Sequence, residues 1–334
     1  MDISIRLHGG MKPAECVEFA KAAEAAGFAG IWFAENAFAR GILPAATACA
    51  LATTRLQIGA GVFNPFSRHP TMMAMEIGAL DEISHGRVAL AVGSGIASAV
   101  AKIGHSAEKP LAALRDTLTI VRHLLRGEEV NHTGKAFSAK NVKLDYRPRA
   151  DIPILLAGRG DLTLKLSGEA ADGLIVSNMC SVEFAGRAAA TVQASRREAG
   201  REGKARIVQY MPCAVRPDGA SAVAAGKRAV GALLPGFWSL SQKVPSAKEG
   251  LLAGTNISEA EFATAASRIR AGEDAAHVLD DRYAAAFSLA GTPNECLAGA
   301  RRYADAGVTE LALTFDGPAR FEEMKLLGDA LARR

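Results

Sequence analysis

The sequence predicts an α/β fold, a closed (β/α)8 TIM barrel, and three observations carry that expectation. Short runs of β-branched and other apolar residues recur between Gly, Asn or Pro. Ala- and Leu-rich stretches of helical period follow them, the pattern of βα units around a parallel sheet. The runs number eight by our reading. A length of 334 residues leaves one or two domains open, but eight parallel strands close into one barrel rather than an open sheet, so residues 1–334 are expected to form a single domain.

The expected strands are Asp2–Leu7, Gly30–Ala34, Leu56–Val62, Val88–Val92, Ile154–Ala157, Gly173–Ser177, Arg206–Val215 and Glu310–Phe315. Between them, helical periodicity covers Pro13–Ala26, Pro70–Ser84, Pro110–Arg126, Leu162–Ala171 and Phe184–Ala199. Pro13, Pro70 and Pro110 open three of these helices, where a missing N–H leaves no bond unmade. Gly27, Gly86, Gly127 and Gly200 follow helix ends, where a left-handed residue is needed.

Two stretches exceed a minimal barrel. Alternation around Val130–His132 and Phe137–Leu144 predicts a β-hairpin before the fifth strand. Residues 221–291 are too long for one connection. Their Ala- and Leu-rich pieces, broken by Pro235, Gly236, Pro245, Gly250 and Gly254, read as a helical insertion of several helices at the barrel mouth or in an oligomer contact.

Composition excludes several classes. Hydrophobic residues make up 49% and charged residues 22%, the globular range, which excludes wholesale disorder, collagen and coiled coil. A net charge of +4 spread over the chain does not suggest nucleic acid. Cysteines 16, 49, 180, 213 and 296 form no close pair, so buried free thiols are expected rather than a zinc site or disulfide framework. The seven histidines lack HxH or HxxxH spacing, which argues against a metal. The N-terminus MDISIRLHGG does not read as an export signal and no apolar run reaches membrane-spanning length, so a cytoplasmic protein is expected, without membrane partners. Ala-rich helices with little charge patterning suggest a homodimer.

Barrel enzymes of this kind place chemistry at the C-terminal ends of their strands. Those ends supply Arg6 and His8, Glu35 and Asn36, Gly61 to Asn64, Gly93 to Gly95, Gly158 to Gly160, Ser177 to Met179, and Tyr210 to Cys213. AVGSG at Ala91–Gly95 and LAGRGD at Leu156–Asp161 let a flat ring or a phosphate approach backbone N–H groups. Neither is a full dinucleotide fingerprint, and tight βα turns alone also use glycine. Glu35 is the first candidate for acid/base work, because a carboxyl at a strand end is open to desolvation; orienting a ligand is its other role. His8 is the second. His69 reads as structural, beside the Pro70 helix start, and Tyr210 as a packed aromatic. No GxSxG elbow is present, which weakens hydrolase readings.

GAGVFNPFSRHP at Gly59–Pro70, TMMAMEIGALDEISHGRVALAVGSG after it, EKPLAALRDTLTIVRHLLRGEEV at Glu108–Val130 and IPILLAGRGDLTLKLSGEAADGLI at Ile152–Ile175 resemble, in order and spacing, the luciferase-like flavin and deazaflavin oxidoreductases. NPFSRHP, DEISHGR and EKPLAALR are most similar to the methylenetetrahydromethanopterin reductases of that group. The resemblance covers most of residues 1–216 and resumes at 290–334. It implies a barrel of the bacterial luciferase-like type that binds coenzyme F420 or FMN, with the ring on a bulge of the third strand and a non-proline cis peptide joining Gly61 to Val62. It places Glu35, Asn36, Asn64, Ser94, Gly95, Ala157, Gly158, Arg159 and Gly160 around the cofactor, with Ser177 on the same rim. It also implies hydride transfer to a small organic substrate, possible substrates including a methylene-tetrahydropterin; an FMN-dependent monooxygenase and a non-catalytic flavin-binding barrel are the alternatives. The chain departs from these reductases at Arg6 and Ile96, where they tend to carry acidic residues.

Overall fold

The computed structural model describes residues 1–333. In chain order the barrel is β1 (Asp2–His8), α1 (Pro13–Ala25), β2 (Gly30–Ala34), α2 (Ile42–Ala52), β3 (Gln57–Phe63), α3 (Pro70–Ile83), β4 (Val88–Gly93), α4 (Pro110–Leu125), β5 (Ile154–Ala157), α5 (Asp161–Ala170), β6 (Gly173–Val176), α6 (Val182–Glu198), β7 (Arg206–Val215), α7 (Pro293–Asp305), β8 (Glu310–Phe315) and α8 (Arg320–Leu331). Each strand pairs in parallel with its neighbours, β8 returns to β1, and β6 pairs with β7 to close the ring. All eight strands expected from sequence are present, their ends moved by at most a residue.

Strand alternation sorts side chains into two cores. Trp32, Ala89, Ala91, Leu155, Ile175, Val208, Tyr210 and Ala312 fill the barrel interior. The outward set, including Ile5, Phe33, Ile58, Leu90, Leu156 and Leu313, packs against the helices. Pro13, Pro70 and Pro110 each occupy the first turn of a helix. Helix α2, ILPAATACALA, escaped the periodicity reading because it is apolar nearly all round and shows no polar face.

The hairpin is present as two antiparallel strands, Val130–Thr133 and Ser138–Val142. A short helix, Ala97–Lys102, follows β4. The insertion holds helices Gly219–Ser241, Pro245–Leu252, Glu259–Arg270, Ala275–Val278 and Asp281–Phe287. Leu289–Gly291 then adds a three-residue strand beside the end of β7. One expectation fails here: Pro235 and Gly236 do not break the chain but lie inside the 23-residue helix Gly219–Ser241, and Gly250 lies inside the helix Pro245–Leu252. Tertiary packing outweighs the lost hydrogen bond, since Val230 and Leu234 of that helix join Leu251, Phe262, Tyr283 and Phe287 in an apolar core of their own. Met179, from the loop after β6, enters the same core and ties the insertion to the barrel mouth.

All five cysteines are buried free thiols. No helix among the described residues is long and apolar enough to cross a membrane.

Candidate active site at the barrel mouth

The site is shaped by a bulge in β3. Pairing of β3 with β4 shifts register between Ala60 and Phe63. Gly61 makes the shift with φ of 125°, and a Cβ there would lie 2.2 Å from the Ala91 carbonyl oxygen, so only glycine fits. No cis peptide is present among the described residues, so the expected cis bond between Gly61 and Val62 is corrected to trans. The register shift goes instead with the positive φ of Gly61.

Beyond the bulge the wall is built on close contacts at glycine. Val62 rests on Gly93, where a Cβ would come within 2.6 Å of its Cγ1. Gly95, at φ of 73°, lies against Asn64, with the missing Cβ only 2.3 Å from the amide nitrogen. Asn64 is fixed by its own turn: its Oδ1 accepts from the Phe66 N–H at 3.0 Å, and its carbonyl accepts from Arg68 N–H at 3.0 Å.

A cavity of about 310 Å³ opens over this wall, and Glu35, Asn36, Val62, Asn64, Arg68 and Gly95 line it. Its outer side is closed by the loop after β2, with Phe38 and Arg40, and by Ile96, Val100 and Ile103 around the short helix. Arg68 reaches Glu35 at 3.1 Å, also binds Glu76, and lies 4.4 Å over the Phe63 ring. Burial pushes the Glu35 carboxyl above its ordinary range, even though Arg68 pulls the other way. The sequence marks Glu35 by its strand-end position; Arg68, eight residues before Glu76, carries no signal separating it from a solvated arginine.

His8 and Arg6 face a second depression, of about 260 Å³, between the ends of β1 and β8. His8 Nδ1 accepts from the Gly10 N–H at 3.1 Å, which leaves Nε2 to carry the proton of the neutral ring. Burial and the neighbouring Arg6 lower its pKa. His69, by contrast, caps α3 through its own Nδ1, accepting from Thr71 N–H at 3.3 Å.

The remaining expected residues lie elsewhere on the rim. Ser94 is half-buried between the bulge and Gly95. Ala157, Gly158, Arg159 and Gly160 run from β5 into α5, with Ser177 beyond β6; none of them lines the Glu35 cavity. Arg159 turns toward the insertion, donating to the Asn178 carbonyl at 2.8 Å and sitting 4.9 Å over Phe237. Among the described residues no group of three His, Cys, Asp or Glu side chains could hold a metal ion.

The model of the luciferase-like monooxygenase family matches residues 2–310. The chain belongs to that family. It is 29% identical over 316 residues to the 5,10-methylenetetrahydromethanopterin reductase of Methanolobus tindarius, covering 93% of each chain. It is 30% identical over 185 residues to the F420-dependent glucose-6-phosphate dehydrogenase of Amycolatopsis mediterranei, covering 52% of this chain and 56% of that one. The solved structure of the coenzyme F420 dependent tetrahydromethanopterin reductase from Methanopyrus kandleri superposes with a TM-score of 0.84 over 98% of this chain and 97% of that one, at 23% identity. These likenesses place the luciferase-like member in the same barrel architecture that its strands build.

Proposed function

We propose that this luciferase-like protein is an oxidoreductase that transfers a hydride between F420, or its analogue FMN, and a small organic substrate. The observation that carries the reading is that the β3 bulge, through Val62 and Asn64, and the partly buried Glu35 carboxyl line one strand-end cavity. Val62, Asn64 and Gly95 form one side of that cavity, and the buried glycines Gly61 and Gly93 set the backbone behind Val62. The curated relatives, a methanopterin reductase and an F420-dependent dehydrogenase, support the same chemistry.

Gly61, Val62, Asn64, Ser94 and Gly95 would hold the ring, and Asn36 its edge. Ala157, Gly158, Arg159, Gly160 and Ser177 would meet the rest of the cofactor along the rim. When bound, the cofactor supplies the hydride-carrying ring carbon. The protein aligns that carbon with the substrate and excludes water. Glu35 holds or releases a proton beside the ring, its pKa raised by burial against the opposing pull of Arg68. The neutral His8 offers an Nε2 proton from the adjacent strand. The insertion, residues 221–291, covers the β5–β6 side of the mouth as part of the same unit, through Met179 and the Arg159–Phe237 contact.

A second copy is proposed to cover the outer face of α2 and α3, where Leu51, Met72 and Met75 are exposed. A homodimer in sedimentation analysis, converted to monomer by Met72→Glu with Met75→Glu, is the expected result.

Titration of the purified protein with F420 and with FMN, followed by absorbance and fluorescence, tests the cofactor. Tight F420 binding supports the reductase reading, and tight FMN binding with weak F420 binding redirects it to the monooxygenase chemistry of the family name. Binding of neither at micromolar concentration overturns it.

A further inference from the structure

Resting on this reading, one residue pair narrows the substrate class. Arg6 projects from β1 into the barrel, where its guanidinium sits 5.1 Å over the Tyr210 ring of β7. Its one hydrogen bond to a side chain runs from Nη1 to the Thr314 hydroxyl at 3.3 Å, and its buried Nε has no partner. Tyr210 is 4% exposed, and its buried hydroxyl also has no partner. A third such atom, Asn178 Oδ1, lies past the end of β6 on the same rim.

The carboxylates nearby do not neutralise Arg6. Glu310, deeper in the barrel, spends Oε1 on the Ser4 hydroxyl and Trp32 Nε1, at 2.6 and 2.7 Å, and Oε2 on Arg206 at 2.7 Å. Glu15 is held by Arg320 at 3.2 Å. Asp316 shares the depression but is exposed and makes no hydrogen bond to Arg6. A guanidinium withdrawn from water without an anion is costly, as is a buried hydroxyl without an acceptor. Both costs vanish if one ligand brings a negatively charged oxygen to the pair, accepting from Arg6 and from the Tyr210 hydroxyl together.

We propose that Arg6 and Tyr210 form the substrate's anion site, and that the substrate is a carboxylate-bearing compound rather than a neutral one. The placement suits this role. Arg6 pairs in register with Trp32 and His8 with Ala34, so the anion site lies on the strand beside β2, two residue pairs below the His8–Ala34 pair at the rim. Arg6 lines the depression between β1 and β8, and the neighbouring strand β2 carries Glu35 just past its end.

Thermal shifts with butyrate and with butyramide, which share a shape but differ in charge, test the site on wild type, Arg6→Met, Arg6→Lys and Tyr210→Phe. Butyrate is expected to raise the melting temperature of wild type while butyramide does not. Arg6→Met is expected to abolish the butyrate shift, Arg6→Lys to keep part of it, and Tyr210→Phe to weaken butyrate binding by about tenfold. Tyr210→Phe keeps the ring in place, so it reports even where Arg6→Met fails to fold. Equal shifts with both probes, or a butyrate shift unchanged in Tyr210→Phe and Arg6→Met, would overturn the anion site. F420 and FMN titrations on the same samples separate the two proposals. Cofactor binding without butyrate discrimination removes the anion site alone, and butyrate discrimination without cofactor binding removes the cofactor reading alone.

Discussion

Glu35 feels two influences of opposite sign: burial raises its pKa, the Arg68 guanidinium lowers it, and burial wins. Its folded value lies above the unfolded value near ~4.3, so the folded chain binds that proton more tightly. Its contribution therefore costs stability in full above the folded value and nothing below the unfolded one, a loss that develops as pH rises through that window. Arg68→Met removes the opposing influence, and a carbon-13 titration of the Glu35 carboxyl should move further up; a downward move would mean that burial is not the leading cause. Glu35→Gln should lower kcat by about 10²–10⁴-fold while cofactor affinity changes far less, if the carboxyl handles a proton. A similar loss in affinity would assign it to cofactor orientation instead. Gly61→Ala asks the steric question directly: a Cβ 2.2 Å from the Ala91 oxygen forces the bulge to move, and urea unfolding should show a loss of about 1–3 kcal/mol. At this scale the sequence exposes Glu35, His8 and the rim glycines, because strand ends and glycine clusters are local patterns. The pairing of Arg68 with Glu35, the unpartnered Tyr210 hydroxyl and the empty hydrogen-bonding capacity of Arg6 were not legible, because what distinguishes them is a partner, or its absence, from a distant strand.

The elements follow the same division between local and distant causes. Proline at a helix start and glycine after a helix end are read from a few residues, and the helices they announced are present at α1, α3 and α4. Pro235 misled because a proline reads as a break unless burial elsewhere holds the helix together. The helix Gly219–Ser241 is held by Phe262, stacked on Trp238 at 5.9 Å and meeting the Tyr283 ring at 5.3 Å. Arg270 also donates to the Pro235 carbonyl at 2.7 Å. Since the proline ring leaves the Gly231 carbonyl without its helical donor, Pro235→Ala restores that bond. It is expected to stabilise the protein by about 1–2 kcal/mol after the freer unfolded chain is counted, measured by urea unfolding. An unchanged or lowered midpoint would show that the helix is bent around the proline and packed to suit it. The β3 bulge was expected from the family resemblance carried by Gly59–Pro70 and is present, whereas the cis bond expected with it is not; the register shift goes with a positive φ at Gly61.

Across the whole molecule the barrel assigns its two ends different work. The C-terminal mouth carries cavities and unpaired polar atoms, whereas the N-terminal end is closed by a fully satisfied buried carboxylate. Glu310 of β8 is 1% exposed and joins Ser4 of β1, Trp32 of β2 and Arg206 of β7, so one side chain ties four neighbouring strands where the ring is sealed. Arg206 is held against it from the other side by the Trp32 ring, 5.2 Å below its guanidinium. Breaking such a network leaves the cation and the indole N–H stranded, so Glu310→Ala should cost about 3–5 kcal/mol. Glu310→Gln retains the hydrogen-bonding shape without the charge and should cost less. Neither change touches the mouth, and the affinity for whichever of F420 and FMN binds should stay within about twofold in any Glu310 variant that remains folded. A Glu310→Gln protein that keeps its melting temperature but loses cofactor affinity would show that the two ends are coupled through the inner residues, with Tyr210, between Trp32 and Arg6, as the route. Parallel strands give the fold this separation: every strand delivers its C-terminal end to the same rim, so stability can be concentrated at one end while the other is left open for chemistry.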